Sequence, residues 1–168
     1  MKISMYQASI PVSIRALNNL SAILKKGEAY AETRKFDTGI LFNARLAPDM
    51  FPLSRQIQIA ADIAKGGGAR LAGMEPPKFE DDETVYADLY RRIDKTIAFL
   101  QSLAADQIDG TEDKEITLKL RDTSVTFNGL TYLLGFVLPN VYFHVTTAYD
   151  ILRHNGVDIG KQDYIGKL

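Results

Sequence analysis

The spacing of apolar residues constrains this chain more than any other feature. Ile3, Tyr6, Ile10, Ile14, Leu17, Leu20 and Leu24 recur every third or fourth residue, the repeat of one face of an α-helix. Met50, Leu53, Ile57, Ala60, Ala61 and Ala64 repeat the pattern after Asp49, which suits a cap, and Pro52, which suits a first turn. A third stripe comprises Tyr86, Leu89, Ile93, Ile97, Leu100 and Leu103. The fourth helix is expected from about Leu130 to Asn155, with Pro139 inside it and Gly156 as its stop.

Between the third and fourth stripes the period changes to two. Ile116, Leu118 and Leu120 alternate with Thr117 and Lys119, and Val125 alternates with Thr126 before Phe127. With a polar turn at Arg121 to Thr123, this predicts a β-hairpin. Pro11 either kinks the first helix or lies near its start, and Gly27 offers its end. Residues 28–48 read as a short helix and a long loop. Gly66, Gly67 and Gly68 either end the second helix or permit close packing. The tail from Val157 has neither period and is expected to pack across the surface. The reading is one all-α domain over residues 1–168: a four-helix bundle with a small hairpin before its last helix.

A chain of 168 residues can bury a core of its own. Its net charge of −1 and scattered Lys and Arg lack the basic excess of a nucleic-acid-binding surface. There is no cysteine, which excludes disulfides, a thiol nucleophile and sulfur-ligated metal. The first residues lack the continuous apolar stretch of a signal peptide, so a cytoplasmic location is expected. Residues 130–149 approach the length of a bilayer span, but Asn140 and His144 give them a polar stripe better suited to a bundle core. No membrane association is expected.

Two motifs look functional and are not. Gly68 and Gly73 have phosphate-loop spacing, but Met74 and Glu75 stand where Lys and Ser or Thr are needed. The acidic run FEDDE lacks the alternation and glycine of a calcium loop and reads as a solvated helix start.

The chemistry-bearing stretch is LPNVYFHVTTAYDILRHNG, which holds both histidines. His154 lies ten residues past His144, some 15 Å along a helix axis, so the two cannot share an ion. A terminal His154 suits a C-cap role. Asn140 and His144 are four residues apart and share a face. His144 is the residue whose ordinary pKa, about 6.5, suits acid–base work near neutrality.

The stretches LAPDMFPLSRQIQIAADIAK, RLAGMEPP, YLLGFVLPNVYFHVTTAYDILRHNGV and IGKQDYIG together resemble a bacterial family of unknown function placed in the DinB/YfiT-like superfamily, which is associated with metalloenzymes. That resemblance implies a four-helix bundle with a crossover connection, often a homodimer. It also implies a three-histidine metal site, with one histidine on the second helix and two spaced H-x-x-x-H on the fourth. His144 matches the last of these. Asn140 stands where the preceding histidine belongs, and Gln58 is the counterpart assigned on the second helix.

Carboxamides are weak ligands for zinc or nickel. The expectation is therefore a degenerate metal pocket of His144, Asn140 and Gln58, with Tyr142, Thr147, Arg55 and Asp62 as outer groups. It would bind a small molecule or a partner, with no dedicated cofactor. The alternative is a metal-dependent enzyme, such as a low-molecular-weight-thiol transferase. That would need a divalent transition metal on His144 with added ligands from Asp49, Asp62 or a second chain.

Overall fold

The computed structural model describes residues 3–120 and 122–166. Helix α1 runs from Met5 to Arg34. Ser4 caps it by a reciprocal pair: its hydroxyl accepts from the Gln7 N–H, and the Gln7 amide oxygen accepts from the Ser4 N–H, both at 3.2 Å. Pro11 is retained inside the helix. Gly27 does not end it: a Cβ there would sit 2.9 Å from Leu152 Cδ2, so glycine serves close packing against the last helix. The chain turns instead at Lys35, in the left-handed region at φ 59°.

A short helix α2 (Thr38–Phe42) and a loop lead to α3 (Leu53–Leu71). Pro52 occupies the cap position of α3, and Asp49 lies in a preceding turn rather than capping it. Gly66, Gly67 and Gly68 are buried within α3, and the role of Gly67 and Gly68 is packing. A Cβ on Gly67 would meet Val137 Cγ1 at 2.6 Å, and one on Gly68 would meet Leu100 and Leu103 at 2.8 and 2.9 Å.

After an irregular segment, α4 spans Tyr86–Gln101. Strands β1 (Glu115–Leu120) and β2 (Thr123–Asn128) form the hairpin in register Glu115↔Asn128 through Leu120↔Thr123. Thr123 therefore pairs instead of turning, and Arg121 lies outside the described residues. Ile116 and Leu118 enter the core, as the alternation requires.

The last long helix is continuous but not uniform. A turn of α-helix, α5 (Gly129–Thr131), passes into a π-helical segment over Tyr132–Val137 and then into α6 (Leu138–His154). The cause is Pro139, which has no N–H to give and whose ring clashes with the carbonyl four residues back; the wider turn relieves both. Gly156, at φ 91°, ends α6 with paired bonds from Gly156 N to Arg153 O and Val157 N to Leu152 O, each 3.1 Å. The tail buries Val157 and Ile159 and ends in α7 (Lys161–Ile165), which packs on α1.

Helices α1 and α3 each pack mainly on α4 and α6, so the order around the bundle is α1, α4, α3, α6. The chain thus crosses the bundle diagonally between α1 and α3, and again, through the hairpin, between α4 and α6. The core runs along the axis through Leu17, Leu20, Ile57, Ile93, Val141 and Ala148. No helix among the described residues is long and apolar enough to cross a membrane.

Candidate functional site

α6 aims the half-buried His144 ring at α3, where it meets Gln56 and not Gln58: His144 Nδ1 lies 2.7 Å from Gln56 Oε1. Gln56 is 2% exposed and its own orientation is fixed, because its amide N–H donates to the Phe51 carbonyl at 3.0 Å. The oxygen must therefore face the imidazole. Gln56 Oε1 can only accept, so Nδ1 carries the proton and Nε2 holds the free lone pair. Burial lowers the His144 pKa below its ordinary value, which keeps the ring neutral near pH 7. Phe143 packs edge-on against it at 5.2 Å.

Gln58, Arg55 and Asp62 belong to a different constellation. Residues 55, 58, 62 and 65 form one stripe of α3, turned toward α4 and the segment before it. Arg55 donates to Gln58 Oε1 at 2.9 Å and pairs with Asp81. Gln58 donates to Glu83 at 2.7 Å. At the centre lies Arg92 of α4, its side chain 2% exposed, bonded to Glu83 at 2.7 Å, Asp62 at 2.8 Å, Asp81 at 2.9 Å and the Glu80 carbonyl at 3.1 Å. Lys65 pairs with Asp62 at 2.8 Å and stands over the Phe79 ring at 3.8 Å.

The acidic run read as a solvated helix start is thus a clamp, held by three cations against α3 and α4. Burial acts to raise the Asp81 pKa, but the hydrogen bonds and charges of Arg55 and Arg92 outweigh it and hold it below the usual carboxylate range. Most of these groups bond to one another, as in a structural network, and the buried Arg92 Nε is left without a hydrogen-bond partner.

The other candidates separate further. Asn140 donates one amide N–H to the Phe136 carbonyl at 2.7 Å, one turn back in the π-helical segment, which leaves its second N–H and its oxygen for a ligand. Thr147 is buried and likewise bonds back, to the Phe143 carbonyl at 2.8 Å. Tyr142 lies two residues from His144, some 200° round the helix, and faces a cleft against α1 and α7. His154 is the exposed last residue of α6.

The residue missed from the sequence is Gln56. Its signal was there: it lies three residues after Leu53 and four before Ala60, on the inward stripe of α3, whereas Gln58 is five past Leu53 and points elsewhere.

A three-histidine metal centre does not fit these residues. Such a site needs three or more imidazole, thiolate or carboxylate donors converging on one point. Among the described residues no three His, Asp or Glu side chains do so. Gln56 Oε1 is engaged by His144, and Gln58 Oε1 by Arg55. What remains is one imidazole nitrogen and one carboxamide oxygen, a donor set too weak for zinc or nickel.

Residues 5–165 match the model of a domain of unknown function, DUF1993. The crystal structure of a DinB family member protein from Shewanella denitrificans is 40% identical and superposes with a TM-score of 0.88, covering 97% of this chain and 92% of that one. No curated protein matches the chain. With its four-helix order, crossover and hairpin, the chain belongs to the DUF1993 family, within the DinB-like superfamily.

Proposed function

We propose that this protein is a binding member of the DinB-like superfamily, in which the ancestral metal position has become a neutral hydrogen-bonding pair. The observation that carries this reading is the 2.7 Å bond between His144 Nδ1 and Gln56 Oε1, with Gln56 itself locked to Phe51. The pair offers a ligand one acceptor, His144 Nε2, and the Asn140 oxygen can add a second. Phe143, 57% exposed, packs edge-on against the imidazole and borders the pair with apolar surface. That combination suits a small molecule or a partner that brings a donor and an apolar face.

A second copy of the chain is the partner we favour. Leu130 and Leu134, four residues apart, leave apolar surface exposed on one side of the last helix, which supports a homodimer. Light scattering on the purified protein checks this, and a strictly monomeric protein at high concentration refutes it.

The free Nε2 also favours one rival reading: a metal-dependent enzyme of the thiol-transferase type, completed by ligands from a second chain. Elemental analysis of protein purified without an affinity tag separates the two. The binding reading expects well under one transition-metal ion per chain. A full equivalent of zinc or nickel, lost on His144→Ala, overturns it.

A further inference from the structure

On the flank of α6 away from His144, a cleft of about 390 Å³ opens between α1, α6 and α7. Its size lies at the lower end of small-molecule sites, about 300–1,000 Å³. Pro11, Val12 and Ala16 of α1 and Val145 of α6 give it an apolar floor. Pro11 carries no N–H, so this wall presents no backbone donor at that point.

The polar groups are few and lie at one rim. Arg15 is exposed, and its Nε donates to the Ile165 carbonyl at 3.2 Å, which anchors the stem and leaves the terminal nitrogens free. Among the described residues Arg15 has no acidic partner within ion-pair distance. Tyr142 shares the rim; burial raises its pKa, the Tyr164 hydroxyl adds to that, and the Arg15 charge opposes both. The α7 wall is held in place beforehand: Asn19 donates to the Tyr164 carbonyl at 3.0 Å, and Lys26 pairs with Asp163 at 2.7 Å. An uncompensated guanidinium and a phenol above a pre-formed apolar floor are complementary to one chemistry.

We infer that this cleft binds a small amphipathic monocarboxylate, with its hydrocarbon body on the Pro11–Val145 floor and its carboxylate on Arg15 and Tyr142. The inference does not depend on the His144 site, which faces α3.

Isothermal titration with octanoate, octylamine and octanol tests it. Saturable one-to-one binding of octanoate is expected, tighter than either octylamine or octanol. A charge-assisted hydrogen bond at Arg15 implies that Arg15→Gln weakens octanoate binding by about tenfold or more. Ala16→Leu, which fills the floor and leaves Arg15 in place, abolishes binding while the helical circular dichroism is unchanged. His144→Ala leaves octanoate binding unchanged, so failure here and failure of the His144 reading are distinguishable. Octylamine binding as tightly as octanoate, Arg15→Gln without effect, or no saturable octanoate binding would each overturn the inference.

Discussion

Replacing Arg92 by Met keeps the volume of the α3–α4 seam and removes the cation at the centre of the clamp. Asp62 and Asp81, with side chains 40% and 42% exposed, are screened by water and lose little. Glu83 is different: its side chain is 6% exposed, and without Arg92 only Gln58 remains to it. Breaking a buried pair from one side costs about 3–5 kcal/mol, because the other charge stays buried. For a chain of this length each kcal/mol lowers Tm by about 2–4 °C, so the expected fall is roughly 6–20 °C. Adding Glu83→Gln to Arg92→Met removes the stranded charge and keeps the Gln58 bond, so the double variant should recover more than half of the loss. Chemical denaturation of the four proteins of the cycle reads this directly. A loss under about 1 kcal/mol for Arg92→Met, or no recovery in the double variant, would show that the clamp is a surface decoration.

Other consequences are equally open to measurement. The His144 pKa is lower folded than unfolded, so the unfolded chain binds the extra proton first as pH falls. Stability should therefore drop as pH falls below about 6.5 and level off below the folded value, and His144→Gln should remove that component of the pH profile. Lys35 holds a left-handed conformation that costs an L-residue about 1–2 kcal/mol, so Lys35→Gly should raise stability by about 1 kcal/mol in urea melts. Gly67→Ala gains about 1 kcal/mol of helix propensity but drives a methyl into Val137, at a cost of about 1–3 kcal/mol. It should destabilise the native chain and stabilise one that already carries Val137→Ala; the same sign in both backgrounds would contradict the packing assigned to the contact between α3 and the π-helical segment.

Much of the fold could be read from periodicity because burial imposes it. The stripes from Tyr6 to Leu24 and from Tyr86 to Leu100, and the alternation of Ile116 and Leu118, all point where the pattern puts them. Glycine and proline were harder. Gly27, Gly67 and Gly68 look like stops in one dimension, and only the approach of Leu152, Val137 and Leu100 explains them inside helices. Pro139 announced a disturbance, but nothing local dictates that it be absorbed by a π-helical segment.

Spacing along α6 indicates the face that His144 shares with Asn140, and its neighbour Gln56 could have been found by asking which glutamine shares the stripe of Leu53 and Ala60. The clamp was not legible, because Arg92 and Glu83 meet Asp62 and Gln58 across the seam between neighbouring α3 and α4, a pairing between elements that spacing within one helix does not encode.

Gln56 holds His144 as a neutral imidazole, protonated at Nδ1, with too few companions to retain a metal. Nitrogen-15 NMR of the imidazoles reads tautomer and metal binding in one experiment. The expected result is a His144 ring protonated at Nδ1 at neutral pH, with an Nε2 signal unmoved by one equivalent of zinc and a tautomer lost in Gln56→Leu. An Nε2 signal that shifts stoichiometrically with zinc, or a ring protonated at Nε2, would contradict it.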